Sequence, residues 1–148
     1  MVGRWWRSRS GRWLPLLLWM AAIYVLSDQP KSGIPSFGVW DWLVKKGSHF
    51  LAYGVLSGLA WRVFEERKRP LRRRTAAVCA QCKPYLLAFL LTVLYAASDE
   101  IHQTFIPGRN GTLVDVLIDS LGGLTALFIL RKNWFRLPGF LTQSNQSP

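Results

Sequence analysis

The stretch Ser98-Asp99-Glu100-Ile101-His102-Gln103-Thr104-Phe105-Ile106-Pro107-Gly108-Arg109 separates two long apolar runs, and its polarity decides how the whole chain is interpreted. One apolar run covers residues 85–97 before it, and another covers residues 113–130 after it, with Asp115 and Asp119 as its only charges. Ionisable groups at membrane depth are costly, and by default they mark a functional site. If the two runs cross a bilayer, we expect this polar stretch at one membrane face.

The chain has four apolar runs, at residues 14–26, 49–64, 85–97 and 113–130. Each is shorter than the roughly 20 residues that cross a hydrocarbon core of about 30 Å. Length alone therefore leaves two alternatives, which are a compact soluble helical protein and a helical bundle that spans a membrane four times.

The distribution of charge favours the membrane bundle. If both termini are cytoplasmic, every Lys and Arg falls on the cytoplasmic side except Lys31, Lys45, Lys46 and Arg109. This is the positive-inside pattern, and it recurs in the N-terminal segment, between the second and third runs, and after the fourth. We therefore predict an all-α, four-span transmembrane helical bundle with cytoplasmic N- and C-termini.

The predicted organisation is a basic cytoplasmic N-terminus at 1–12, a membrane domain at 13–132 and a cytoplasmic tail at 133–148. Its spans lie at about 13–27, 47–64, 84–99 and 112–130, and a basic cytoplasmic loop covers 65–83. Residues 1–26 also resemble a signal peptide, but no A-x-A-like site follows them, so we expect an uncleaved span. Cys79 and Cys82 supply only two metal ligands in the loop, and we expect reduced thiols there.

The net charge of +11 suggests nucleic acid or a membrane surface as a partner. Basic residues beside cytoplasmic span ends are attracted to anionic lipids by about 1 kcal/mol each. No nucleic-acid-binding module accompanies them in this sequence. We therefore predict a bilayer with anionic lipids at its cytoplasmic face as the partner, and no nucleic acid.

The second span carries a polar stripe. Lys46, His49, Tyr53 and Ser57 are spaced by three and four residues, so they share one helix face. A structural alternative is that Tyr53 and Ser57 hold helices together while Lys46 reaches the lipid headgroups.

The third span ends in a set of side chains that share one helix turn. If the helix continues past Ser98, Asp99 and Glu100 both lie within reach of Gln103. Pro107 and Gly108 then stop the helix and turn the chain, which brings Arg109 back toward the same place.

The fourth span has acids with different explanations. Thr112 is a plausible N-cap and Asp115 stands at the capping-box position, so Asp115 has a structural explanation beside a functional one. Asp119 lies a turn deeper, on the stripe of Gly122, Gly123 and Ala126, small residues that let another helix approach. A carboxylate facing a neighbouring helix must be protonated or paired with a cation. The candidate cations are His49, Lys46 and Arg109.

These observations predict one outward-opening polar pocket formed by the ends of spans two, three and four. Its predicted binding residues are Lys46, His49, Tyr53, Asp99, Glu100, Gln103, Arg109, Asp115 and Asp119.

Three blocks of the sequence carry a family resemblance. They are Lys46-x-x-His49-Phe50-x-x-Tyr53, Ser98-Asp99-Glu100-x-His102-Gln103-x-Phe105-x-Pro107-Gly108-Arg109 and Asp115-Val116-x-x-Asp119-x-x-Gly122. In this order they resemble the VanZ-like family of bacterial membrane proteins, which is named after a teicoplanin-resistance accessory protein. The resemblance covers residues 14–130, apart from the arginine-rich loop with its CxxC, and it includes Leu26-Ser27-Asp28-Gln29-Pro30, which resembles the family's usual exit from its first span. It implies a four-span protein of the bacterial plasma membrane and carries over the nine pocket residues as motif positions, without a biochemical activity.

Three functions remain open. The first is a contribution to glycopeptide (teicoplanin) resistance or cell-envelope homeostasis, with a lipid-linked envelope precursor or the glycopeptide itself as ligand. The second is an enzyme on a lipid-linked substrate, with Glu100, His49 and Asp119 as catalytic candidates and Asp115 with Asp119 available for a divalent cation. The third is a small proton or solute transporter, which requires a homo-oligomer because four spans form only a narrow path. We predict no cofactor and assign no metal ligands.

Overall fold

The computed structural model of the protein describes residues 9–29, 38–65 and 74–133. These ranges form four helices and no strand, which confirms the predicted all-α class. The helices are α1 (Arg9–Ser27), α2 (Val39–Phe64), α3 (Arg74–Gln103) and α4 (Leu113–Asn133). Most of the predicted N-terminal segment, the middle of the predicted basic loop and the predicted tail lie outside the described residues.

All four helices are longer than the predicted spans, and α2 and α3 differ most because polar and basic residues extend them. α2 begins at Val39 and includes Lys45 and Lys46 in its N-terminal part, and α3 begins at Arg74 within the predicted basic loop. Helical backbone does not require apolar side chains, since its hydrogen bonds lie within the segment. The helix bounds and the part of each helix that lies in lipid are therefore different quantities.

Three of the four helices are long and apolar enough to cross a membrane, over Ser10–Ser27, Cys82–Gln103 and Leu113–Lys132. α2 has a different place in the bundle. It packs against all three other helices, and its Tyr53, Leu56 and Ala60 are fully buried. A central helix needs less lipid-facing apolar surface than its neighbours, so α2 can belong to the same bundle without being one of these three.

The bundle has an apolar exterior. Leu18, Leu94 and Phe128 are each more than 60% exposed, and large apolar side chains on all four helices are exposed with them. Contiguous apolar surface of this extent is a liability in water and is typical of a lipid-facing surface. Together with the three apolar helices it indicates a multi-pass membrane protein rather than a soluble helical one.

Glycines set the distance between α2 and α4. A Cβ atom on Gly122 would overlap the carbonyl oxygen of Phe50, and one on Gly54 would lie 3.3 Å from the carbonyl oxygen of Gly122. The two backbones therefore touch, as expected for small residues in membrane helix packing. This confirms that the small residues after Asp119 admit neighbouring helices: Gly122 faces α2, and a Cβ atom on Gly123 would lie 2.8 Å from Thr92 of α3.

Candidate functional site

The buried polar side chains gather at one end of the bundle, where α1 and α3 end and α4 begins. We call this end the polar end. The polar cluster is defined here as Lys46, His49, Tyr53, Asp99, Glu100, Gln103, Asp115 and Asp119. Four carboxylates belong to it, and each of their residues is at most 6% exposed. The structure thus places eight of the nine predicted pocket residues at the same end of three helices.

Gln103 connects α1 with both acids of α3. Its amide Nε2 donates to Ser27 Oγ at 2.8 Å and to Asp99 Oδ2 at 3.0 Å, with Glu100 Oε1 a third acceptor at 3.3 Å. The helix does continue past Ser98, and the predicted proximity of Gln103 to both acids follows from the i+4 and i+3 spacings. The sequence reasoning did not include Ser27 in the pocket, although Ser27 belongs to the segment after span one that carried part of the family resemblance.

The N-terminus of α4 is capped by residues from two helices. Thr112 acts as the predicted N-cap, since its Oγ1 accepts a hydrogen bond from the Asp115 N–H at 3.2 Å. The backbone N–H of Thr112 donates to Glu100 Oε2 at 3.0 Å. In a capping box that N–H would be taken by the residue at the Asp115 position. Here Glu100 of α3 takes it, so the expected capping-box role of Asp115 is wrong.

Asp115 instead forms an ion pair with Lys46 across the α2–α4 contact. The two side chains are 18% and 8% exposed, so the pair is largely shielded from solvent. Lys46 is therefore engaged with a carboxylate, in contrast to the alternative in which it reaches the headgroups.

Asp119 is the deepest carboxylate and is fully buried. Its Oδ1 lies 3.5 Å from His49 Nδ1, while the His49 side chain remains 21% exposed. Among the described residues neither Asp119 oxygen accepts a hydrogen bond of normal geometry. Of the three cations considered from the sequence, His49 is thus the one beside Asp119.

Glu100 completes a group of three. One ligand atom each from His49, Glu100 and Asp119 can be chosen so that all three atoms lie within 4.8 Å of one another. An imidazole and two carboxylates in this arrangement can exchange protons or bind a cation. The three catalytic candidates from the sequence are therefore neighbours in space.

Tyr53 forms the floor of the cluster. It is fully buried, its ring stacks on His49 with centroids 6.3 Å apart, and it also contacts the ring of Tyr95. The Tyr95 hydroxyl donates to the carbonyl oxygen of Met20 at 2.7 Å, which attaches α1 to α3. Aromatic rings thus separate the polar cluster from the apolar core.

His102 lies outside the cluster. Its Nε2 is 3.1 Å from Asp28 Oδ1, and its ring stacks on Tyr24 with centroids 4.8 Å apart. This histidine fastens the end of α3 to the end of α1 and has its partners there.

Arg109 follows the turn after α3. Gly108 adopts φ 77°, which favours glycine, and the Arg109 N–H donates to the Ile106 carbonyl oxygen at 3.1 Å. The guanidinium Nε and Nη1 are shielded from solvent and have no hydrogen-bond partner among the described residues. The predicted turn is present, but no hydrogen bond or ion pair within those residues joins Arg109 to the acids.

A protein-family model described as VanZ/LLP1 matches residues 5–136 of the chain. The match spans all four helices and the whole polar cluster. Neither a curated protein nor a solved structure matches the chain.

Proposed function

The chain belongs to the VanZ-like family, and on that premise we propose that it binds an envelope ligand through the polar cluster at the outer face of the bacterial plasma membrane. In this proposal the chain spans the membrane four times with cytoplasmic termini. The ligand is the headgroup of a lipid-linked envelope precursor or a glycopeptide, and binding contributes to glycopeptide resistance or envelope homeostasis.

This proposal rests on one observation, which is that the side chains of the polar end differ in how deeply they are buried. Lys46 and His49 are partly exposed, and the carboxylates behind them are almost completely buried. A bundle that needed only to neutralise its own charges would have satisfied Asp119, whose oxygens lack hydrogen bonds within the described residues. A polar group that enters past Lys46 and His49 would supply the missing partners.

Two further features support a lipid-linked ligand. The shielded nitrogens of Arg109 lack a partner within the described part of the chain, and a phosphate or carboxylate is the natural acceptor for a guanidinium. An apolar groove of about 510 Å³ between α1 and α3 is lined by Met20, Leu91, Leu94 and Tyr95 and reaches Ser98. A ligand with an anionic headgroup and an apolar chain fits both features.

The proposed orientation rests on the distribution of basic side chains. The end opposite the cluster carries Arg12, Arg62, Lys83, Arg131 and Lys132. Positive-inside asymmetry supports an orientation with that end in the cytoplasm and the polar end outside. Single cysteines introduced at Asn110 and Asn133 in a Cys79→Ser, Cys82→Ser background, probed with a membrane-impermeant maleimide on intact cells, test this. Labelling of position 110 alone supports the orientation, and labelling of position 133 alone contradicts it.

Complementation tests the function. A deletion strain receives wild type, Glu100→Gln, Arg109→Ala or the control Arg131→Ala at matched membrane abundance, and the inhibitory concentration of teicoplanin is measured. We expect wild type and Arg131→Ala to raise that concentration and the two cluster-end variants to fail. Equal protection by all four proteins contradicts a working site at the polar end.

An enzyme is the second candidate, favoured by the position of His49 between two carboxylates. An imidazole beside a carboxylate can accept a proton, and the protonated form of Glu100 can donate one to a leaving group. Purified protein in nanodiscs is incubated with a lipid-linked precursor, and product release is followed for wild type and Glu100→Gln. Turnover by wild type that Glu100→Gln abolishes supports catalysis, and turnover unaffected by Glu100→Gln contradicts this role.

A further inference from the structure

We propose that His49, Glu100 and Asp119 form a binding site for a divalent transition-metal cation, with Zn²⁺ as the best match to the ligand set. The inference concerns the three side chains themselves and does not rest on the proposed envelope function. The sequence alone suggested Asp115 with Asp119 as a cation pair. In the structure the two acids have different partners, because Asp115 forms an ion pair with Lys46.

Asp119 lacks the hydrogen bonds that a buried carboxylate usually accepts. The residue is fully buried, and neither carboxylate oxygen accepts a hydrogen bond of normal geometry within the described residues. An unsatisfied buried polar group destabilises a fold by about 1–3 kcal/mol, and more when it is charged. His49 is near, but a separation of 3.5 Å between Nδ1 and Oδ1 exceeds the usual N–H···O range. Asp119 therefore has room for a partner other than the side chains of the described residues.

The distances between the three side chains fit a metal ion. A tetrahedral zinc ion at about 2.1 Å from each ligand separates its ligand atoms by roughly 3.4 Å. The His49 Nδ1–Asp119 Oδ1 distance of 3.5 Å already has this value. One ligand atom from each of the three residues can be chosen so that all three atoms lie within 4.8 Å of one another, so Glu100 lies close to the same point.

Hydrogen bonds from neighbouring groups hold one of the three ligands in place. Metal-bound carboxylates are commonly held by hydrogen bonds from an outer shell. Glu100 has this support, because Oε1 accepts from Gln103 and Oε2 accepts from the backbone N–H of Thr112. Each of these oxygens keeps a lone pair for a cation. Both donors come from the segments that fix the ends of α3 and α4, so the ligand is oriented before a metal binds.

The charges of the polar cluster favour a cation at the three ligands. Lys46 is the cation within the cluster, and its ion pair with Asp115 neutralises one of the four acids. Asp99, Glu100 and Asp119 remain, and within the described part of the chain His49 is the basic side chain beside Asp119. Asp99 and Glu100 share the neutral amide of Gln103. A buried surplus of carboxylates favours a cationic ligand at these three side chains, whereas the anionic headgroup proposed above is assigned to Arg109, outside the cluster.

The ligand types select the class of metal. An imidazole with two carboxylates suits Zn²⁺, Fe²⁺ or Mn²⁺ better than Ca²⁺, which prefers oxygen ligands alone. Three protein ligands leave at least one coordination position open, as in catalytic rather than structural zinc sites. His49 is the partly exposed member of the triad, so the open position is reached from the polar end.

Metal binding is tested with the full-length protein purified in detergent, stripped with a chelator and titrated with Zn²⁺ alone. We expect one equivalent to bind, and affinity to fall at least 100-fold in His49→Ala and in Asp119→Asn. The matched controls are His102→Ala and Asp28→Asn, which remove the same residue types from the same end of the bundle and should bind as wild type does. Equal Zn²⁺ affinity in all five proteins, or no binding by wild type, overturns the proposal.

A spectroscopic measurement on wild type guards against variants that fail to fold. Co²⁺ in a four-coordinate nitrogen–oxygen site absorbs strongly in the visible region, whereas a hexa-aqua ion absorbs weakly. We expect such a band to appear with Co²⁺ at one equivalent and to be lost when Zn²⁺ is added. A spectrum that remains that of aqueous Co²⁺ overturns the proposal without reference to any variant.

Discussion

The polar end of the bundle contains two histidine–aspartate pairs that differ in their surroundings. His102 and Asp28 meet at the rim at 3.1 Å with side chains 29% and 54% exposed, whereas His49 and Asp119 lie 3.5 Å apart with side chains 21% and 0% exposed. The rim pair has good hydrogen-bond distance and a stacking partner in Tyr24. The inner pair has the longer distance and a carboxylate without hydrogen bonds in the described residues. The same two residue types thus form a complete contact at the rim and an incomplete one inside.

The difference separates a pair that needs no further partner from one that does, and it supports the functional role proposed for the inner pair. An exposed ion pair contributes about 0–1 kcal/mol and needs nothing more, because water solvates the remaining charge. A buried carboxylate without partners opposes folding, and it persists where other contacts hold it in place. Those contacts are the close approach of α2 and α4, the cap of α4 and the bonds of Gln103. We expect the largest effect from a change at the α2–α4 contact and smaller effects at the cap of α4 and at the hydrogen bonds of Gln103.

The largest effect is expected from Gly122→Ala, which would break the contact that holds the inner pair together. The added Cβ would overlap the carbonyl oxygen of Phe50, and backbone cannot rotate away as a side chain can. We expect a loss of about 3 kcal/mol or more in the free energy of unfolding, measured by denaturant titration in micelles. Gly47→Ala is the control, since nothing lies within 4 Å of its Cβ position, and it should change stability by less than about 1 kcal/mol. Equal stability of the two variants would contradict the α2–α4 contact.

The next effect is the coupling between Lys46 and Asp115, the shielded ion pair beside the inner histidine. A double-mutant cycle with Lys46→Met and Asp115→Asn should give a coupling energy of about 2 kcal/mol, because both groups are mostly removed from solvent. The same cycle with His102→Ala and Asp28→Asn should give less than about 1 kcal/mol at the rim. A rim coupling as large as the inner one would remove the basis for treating the two regions differently.

The sequence predicted much of this arrangement because helix spacing is enough to group residues on one element. The stripe of Lys46, His49 and Tyr53 and the neighbours of Gln103 follow from three- and four-residue spacing. Spacing does not determine which groups pair between helices. Asp119 had three candidate cations, and the choice of His49 depends on the register that Gly122 and Phe50 impose between α2 and α4.

Two assignments needed the tertiary structure for the same reason. The backbone N–H of Thr112 donates to Glu100, a residue of another helix. A capping rule that considers one helix alone assigned this N–H to Asp115 instead. Ser27 is far from Gln103 in sequence, and its role depends on where α1 ends relative to α3. Propensity and periodicity describe single helices, whereas these contacts depend on how helix ends are aligned.

A smaller effect is expected from the cap that orients the first turns of α4. Thr112→Ala removes the hydroxyl that accepts from the Asp115 N–H and should cost about 1 kcal/mol in the free energy of unfolding. Thr125→Ala is the matched control on the same helix, because its hydroxyl bonds only to the Leu121 carbonyl oxygen, which the helix already satisfies. It should be neutral within about 0.5 kcal/mol. Identical losses in both variants would contradict the assigned cap.

The smallest effect is expected at Ser27, which accepts one of several hydrogen bonds from Gln103. Ser27→Ala should cost about 0.5 kcal/mol in unfolding free energy, because Asp99 and Glu100 remain as acceptors. Ser48→Ala, at an exposed hydroxyl bonded to the Lys45 carbonyl oxygen, serves as the control and should leave stability unchanged. A loss above about 2 kcal/mol at Ser27 would mean that the link from α1 matters more to the cluster than its hydrogen bonds indicate.

The most direct test of the account compares the two aspartates in cells. A strain lacking this protein is supplied with wild type, Asp119→Asn or Asp28→Asn at equal membrane abundance, and the teicoplanin concentration that stops growth is measured. We expect wild type and Asp28→Asn to protect equally and Asp119→Asn not to protect. Protection by Asp119→Asn equal to that of wild type would contradict the claim that the buried cluster is the working site.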